Sequence, residues 1–380
     1  MARGRYRRVR TRGALIVGIC VLVVLRFAWT VGKDAMGRTQ EPGNVQSQMR
    51  GNRGSDVSKV ALLFLTRGPM PLESIWRRFL GKSDDWERLF LVLVHAPPGY
   101  EYSKESVFYK REIKNPVPDV HWGQHSVVEA ERRLLVAALD VEQAASHFVL
   151  LSETTIPLYH PAIVYLSIAK DTQSRINACV NTSDPADDRK RMVFRLQPGM
   201  QQVGVTAQTW RKSTQWFSLI RRHAELIAEE TEINGVFEKE CYVKPAKSGF
   251  SGYSRFCVSD EHYIPTVLAV KHLDSECACD GEATRSVWKG NTFHPVEFGE
   301  NDAVSNVLHT TLRSQASCHE ALQLDAFIKR YKDNSLMDVV LRMSSNLTAL
   351  PASCPLFARK IAPSATAKWL ELLSDDVLVY

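Results

Sequence analysis

Val60-Ala61-Leu62-Leu63-Phe64-Leu65-Thr66 is an unbroken apolar run that stops at Arg67-Gly68-Pro69. A run without alternation suits a strand buried on both faces of a sheet. The pattern recurs downstream. An amphipathic helix is expected around 72–80, then a second strand at 89–94 that ends in His95-Ala96-Pro97-Pro98-Gly99. A short strand is expected at Val120-His121-Trp122, and Ser126-Val127-Val128-Glu129 has capping-box spacing, starting a helix that runs to about residue 144. The apolar run 147–151 is the next buried strand, closed by Ser152-Glu153-Thr154-Thr155-Ile156-Pro157. Strands alternating with helices predict an α/β fold, a mostly parallel sheet with helices on both faces. Ligands of such sheets bind beyond the carboxyl ends of the strands. Thr66, Arg67, His95, Ser152 and Glu153 are therefore the first candidates for ligand contact.

Outward from this body, the 380-residue chain carries 48 basic and 42 acidic residues, a formal charge of +6. Arg3, Arg5, Arg7, Arg8, Arg10, Arg12, Arg26 and Lys33 all fall in the opening segment that ends at Lys33, which contains no acid. Removing those eight leaves 40 bases against 42 acids, so the body is slightly acidic and the inference from net charge to a nucleic-acid partner fails. Residues 14–25 have no polar side chain, and the apolar stretch resumes after Arg26 to about residue 32, long enough to cross a bilayer. With six arginines ahead of it, the stretch predicts a single-pass anchor that leaves the N-terminus cytosolic. A cleaved signal peptide with its apolar core at 14–25 is the competing reading. Either places the body in the secretory lumen. The predicted order is a basic tail (1–13), an anchor (14–32), a flexible stem (33–57) rich in Gly, Gln and Ser, and one large domain (58–380).

The sequons at Asn181 and Asn346 fit a lumenal address. Seven cysteines lie beyond the anchor, an odd number that leaves at least one thiol free or paired between chains. Cys277-Ala278-Cys279 near His272 admits a metal reading, but the spacing is not that of structural zinc. No glycine-rich dinucleotide or P-loop motif follows any strand. Farther on, Arg211-Lys212-Ser213-Thr214-Gln215-Trp216-Phe217 leads into a helix to about residue 230. Ser259 is placed to cap a helix whose first turn holds Asp260 and Glu261, where the helix dipole favours negative charge. Plain capping explains that triplet without chemistry.

Several of these segments, in this order, resemble the core-2/I-branching β-1,6-N-acetylglucosaminyltransferase family, glycosyltransferase family 14, in its plant and algal form. The resemblance covers about residues 58–375. It is carried by Phe64-Leu65-Thr66-Arg67-Gly68-Pro69, Val94-His95-Ala96, Val107-Phe108-Tyr109 and Trp122-Gly123. Glu131-Arg132-Arg133-Leu134-Leu135, Leu151-Ser152-Glu153, Trp210-Arg211-Lys212 and Gln215-Trp216-Phe217 belong to it too, as do Asp260-Glu261-His262-Tyr263-Ile264-Pro265-Thr266 and Phe357-Ala358-Arg359-Lys360.

The resemblance implies a GT-A type fold, a type II Golgi address, and transfer of a sugar from a UDP donor to a glycan hydroxyl with inversion. It assigns the base to Glu261, with Asp260 as an orienting neighbour. Where most GT-A enzymes carry a metal-binding D-x-D, this chain has Ser152-Glu153-Thr154. The family's metal-independent members stabilise the leaving UDP with basic side chains, and Lys360 matches one such position, with Arg359 beside it. No metal or other cofactor is therefore expected. Lys212 stands in the relatives' Lys-Gly-Ser, although Ser213-Thr214 replaces the Gly-Ser. Pro97 replaces an aspartate of the animal enzymes. Cys241 and Cys257 are the candidate disulfide despite an insertion between them. Trp216 and Trp288 are candidates to stack on acceptor sugars, although a buried tryptophan is the commoner outcome. Transfer of glucuronic acid or xylose on the same scaffold, and glycan binding without transfer, remain alternatives.

Overall fold

The computed structural model describes residues 57–81, 84–181, 183–241, 257–290, 292, 294–313, 318, 334–346 and 350–376. The expected tail, anchor and most of the stem lie outside these residues. Among the described residues no helix is long and apolar enough to cross a membrane.

Strand β1 (Lys59–Leu65) forms where the apolar run predicts it, and Val60 through Phe64 are fully buried. It lies at the centre of a sheet. β2 (Phe90–His95) and β3 (Ala145–Ser152) flank it in parallel, with Leu65 level with both His95 and Ser152. A fourth strand, β5 (Ser218–Ile220), runs antiparallel to β3. So short a strand is not evident in a segment that reads as the approach to a helix; the helix itself, α4 (Arg221–Glu229), starts only after it.

Alternate side chains of β1 supply two cores. Val60, Leu62 and Phe64 pack with Ile75, Trp76 and Phe79 of α1 (Glu73–Leu80), while Ala61 and Leu63 pack with Val128, Leu134 and Leu135 of α2 (His125–Val141). Period-two burial on both faces is what places helices on both sides. The apolar helix α3 (Pro161–Ala169) joins the first core, and α5 (Glu232–Glu240) the second.

Three local expectations fail. Residues 120–122 form no strand and lead into the turn that the Gln124 N–H closes on the His121 carbonyl. No capping box forms at Ser126: α2 starts one residue earlier, and the Ser126 hydroxyl accepts the His121 N–H at 3.0 Å. Ser259 is not a cap but the first residue of α6 (Ser259–Val270), because Val258 takes the cap position in the left-handed region at φ 55°. Val258 reverses the chain there, and Cys257 just before it is bonded to Cys241, the predicted disulfide.

A second, three-stranded sheet is invisible in the sequence because its members are far apart. β4 (Ile156–Pro157) pairs antiparallel with β7 (Phe357–Arg359), which pairs in parallel with β6 (Thr284–Ser286). Buried Arg175 helps fix the approach to β7, donating to the Cys354 carbonyl at 2.9 Å. Helices α7 (Leu336–Asn346) and α8 (Thr366–Asp376) lie on either side of β7 in the chain. Disulfides Cys179–Cys279 and Cys318–Cys354 complete the cross-links, and Cys277 is the buried free thiol that the odd count requires. With Cys279 in a disulfide, the Cys277-Ala278-Cys279 metal reading loses a ligand. Residues Asp56–Tyr380 form one compact unit.

Candidate active site

A cavity of about 370 Å³ opens beyond the carboxyl ends of β1 and β3. Thr66, Arg67, Ser152 and Glu153 line it, as strand-end residues should. The turn after β1 is tight: Gly68 sits at φ 116°, and a Cβ there would meet the Tyr100 ring at 2.8 Å. Thr66 holds this turn by accepting the Gly68 N–H at 3.1 Å. Arg67 projects into solvent with 84% of its side chain exposed and donates to Glu153 Oε1 at 2.9 Å, joining the two strand ends. Ser152 shapes its own turn through Thr154 and Thr155 hydroxyls at 3.1 and 2.9 Å. His95 does not reach the cavity. Its Nε2 accepts the Val117 N–H at 2.8 Å, and burial pushes its pKa down to about 4.

The opposite wall is the start of α6, which contributes Asp260 and Glu261. Pro265 within this helix has no N–H, so the carbonyl one turn earlier, that of Glu261, loses its helical partner. The Ser213 N–H bonds that carbonyl at 2.9 Å instead. The loop 211–213 is tied to α6 at two further points. Thr266 Oγ1 accepts the Arg211 N–H at 3.0 Å, and His262 Nδ1 donates to the Arg211 carbonyl at 2.6 Å. Lys212 is thereby carried to Glu261, with its Nζ 3.3 Å from Oε2. It reaches the site through Glu261 without lining the cavity itself.

A second cation on Glu261 is Arg195, whose NH1 is 3.2 Å from the same Oε2. Sequence reasoning missed it, since no motif marks it and 66 residues separate the pair. His262 explains its position. With Nδ1 committed as donor, Nε2 presents a lone pair to Arg195 NH1 at 3.4 Å. The imidazole is stacked on Trp210 at 4.4 Å, and burial pushes its pKa down to about 3, which keeps it neutral.

Asp260 departs from the ionised state expected of an acid in the first helical turn. It is enclosed by protein, and burial, reinforced by the charge of Glu261, raises its pKa to about 7. Desolvation here outweighs the helix dipole. Beneath it Glu131 is buried, its pKa raised well above the usual carboxylate range by burial and then by Asp260. Its Oε1 accepts from Gln215 Nε2 at 2.8 Å.

The third wall comes from β6 and β7. Arg359 and Lys360 line the cavity, as do Ser286, Trp288 and Trp216. The Arg359 guanidinium lies over the Trp216 ring at 4.3 Å, and burial lowers its pKa to about 10. Trp216 is buried and serves as the platform for that cation. Trp288 is half exposed at the rim. Lys360 Nζ lies 3.4 Å from Glu297 Oε1. Among the described residues no group of three or more His, Cys, Asp or Glu could hold a metal ion. Asn181 is exposed, with Oδ1 accepting the Ser183 N–H at 3.2 Å. Asn346 ends α7, and its side chain lies outside the described residues.

One concavity thus joins the acidic side chains of Glu153, Asp260 and Glu261, the adjacent cations Arg359 and Lys360, and the half-exposed indole of Trp288, on a sheet whose strand ends face it. The family model for core-2/I-branching enzymes matches residues 60–313. Glycosyltransferase BC10 of Oryza sativa subsp. japonica is 29% identical over 343 residues, covering 83% of this chain and 76% of the rice protein. The fold is GT-A-like, and the chain belongs to the core-2/I-branching glycosyltransferase family.

Proposed function

We propose that this glycosyltransferase moves N-acetylglucosamine from a UDP donor to a glycan hydroxyl, inverting the anomeric carbon without a divalent metal. The carrying observation is that Glu261, Arg359 and Lys360 line a single cavity. An acceptor hydroxyl attacks in line only once its proton is taken, and Glu261 is assigned to take it. Arg195 and Lys212 both grip Oε2, which leaves Oε1 to meet the acceptor. Negative charge grows on the departing diphosphate, and Lys360 with Arg359 supplies the compensating positive charge. The domain works in the Golgi lumen behind an anchor at 14–32. Three disulfides support that oxidising address.

The test is a panel of UDP-N-acetylglucosamine, UDP-glucuronic acid and UDP-xylose offered to the full chain in detergent with a glycan mixture, with and without EDTA. Transfer from the first donor should persist in EDTA. Glu261→Gln should lower turnover by roughly 10²-fold or more, and Lys360→Ala should weaken UDP binding. Strict Mn²⁺ dependence, or normal turnover in Glu261→Gln, would reject the mechanism. Preference for another donor would move the specificity while keeping the chemistry.

A further inference from the structure

Trp122 has no role in the reading above, yet it is among the most exposed large apolar side chains described, at 58%, and it lines the same cavity as Glu261. Its exposure is built. Gly123 takes φ 72°, the Gln124 N–H closes the turn onto the His121 carbonyl at 3.1 Å, and the Ser126 hydroxyl accepts the His121 N–H. The hydroxyl expected to cap α2 therefore braces the turn that presents the indole. His294, which also lines the cavity, meets the Trp122 ring at 5.6 Å between centroids. Trp288 stands on the same rim with half its surface exposed.

We propose that Trp122, seated against His294, is a sugar-binding platform for a pyranose of the acceptor next to the one attacked, so that the preferred acceptor is an oligosaccharide. This inference rests on the proposed transfer reaction. A braced indole offers a flat apolar face with an electron-rich surface, which matches the C–H face of a pyranose. Gln215, Thr214 and Asp260 line the same cavity and offer hydrogen-bonding groups for sugar hydroxyls beside its apolar surface, the mixed lining a pyranose needs. The diphosphate belongs at the cationic wall of Arg359 and Lys360. Glu261 is three-quarters covered while Trp122 is more than half exposed, which puts the platform outside the reacting position.

Isothermal titration of the full chain in detergent tests this with UDP, the methyl β-glycosides of glucose, galactose, xylose and N-acetylglucosamine, and the β-linked trisaccharide of each. Wild type should bind at least one trisaccharide roughly tenfold more tightly than its methyl glycoside. Trp122→Ala should erase most of that advantage while leaving UDP and the methyl glycoside unchanged, and Trp122→Phe should restore much of it. Three results overturn the platform: no trisaccharide preference in wild type, an undiminished preference in Trp122→Ala, or weakened UDP binding in that variant, which would give the ring to the uracil. Failure of wild type to bind UDP would instead remove the donor reading, with the trisaccharide arm still informative.

Discussion

At the residue scale the candidate base is a supported group. Oε2 of Glu261 is held by Arg195 and Lys212, and Arg195 is in turn met by the lone pair of a neutral His262. Asp260 and Glu261 are legible as candidates because a motif carries them. Arg195 is not, because the contact that gives it a role joins segments far apart in the chain. His262 is legible only as part of that motif, and its tautomer is set by the Arg211 carbonyl. Arg195 holds Glu261 without lining the cavity, so its expected part is to position the candidate base. Arg195→Ala should lower kcat by roughly 10- to 100-fold, since small misplacements at a reacting group have effects of that size. The KM for the donor should stay near wild type, and Arg195→Lys should recover part of the loss. An equal rise in donor KM with unchanged kcat would assign Arg195 to binding instead.

Helix α6 is the element on which the site depends. Its proline costs one helical hydrogen bond, and the freed Glu261 carbonyl fastens the loop that carries Lys212. Its first turn also holds Asp260, raised to about 7 by burial, against about 4 for an aspartate in an unfolded chain. Between those values the folded chain holds a proton that the unfolded chain has lost. The stabilising contribution is therefore complete below about pH 4 and is lost as pH rises through about 7. Asp260→Asn is neutral throughout and escapes that loss. Its melting temperature should fall less than that of wild type between about pH 5 and 8, a gain on the order of 2–4 kcal/mol at the upper end. Parallel curves for the two proteins would show that Asp260 is not the group responsible. Helix α2 carries the complementary lesson: its capping-box spacing is genuine in the sequence, but Ser126 is claimed by the neighbouring turn.

Across the whole molecule, disulfides hold what the two sheets assemble. Cys179–Cys279 spans 100 residues, and Cys179 follows Ala178, whose carbonyl accepts from Arg211 Nε at 2.7 Å. Cys241–Cys257 spans only 16. Loop-closure entropy predicts that replacing the first pair by alanine costs about 4–5 kcal/mol and the second about 3 kcal/mol. Urea midpoints of the two double variants measure this, and a reversed order would show that native-state contacts and not chain entropy set the cost. The positive charge of the chain is likewise resolved by scale. Its excess is confined to the segment that ends at Lys33, while the cations of the cavity act locally.

Local pattern by itself determined the three parallel strands of the central sheet but not β5, because burial on both faces of β1 and β3 leaves continuous apolar runs, whereas a three-residue strand leaves none. Glu261 and Lys360 became candidates only through the family resemblance that short contiguous motifs carry. Tertiary structure alone decided which groups share the cavity. β4, β6 and β7 are too short to be seen locally and pair across long stretches of chain. Arg195 meets Glu261 only in the folded chain, and His95 is turned from strand-end candidate into a buried acceptor. The physical reason is the same in each case. A side chain's partner sets its role, and partners distant in sequence leave no periodic trace.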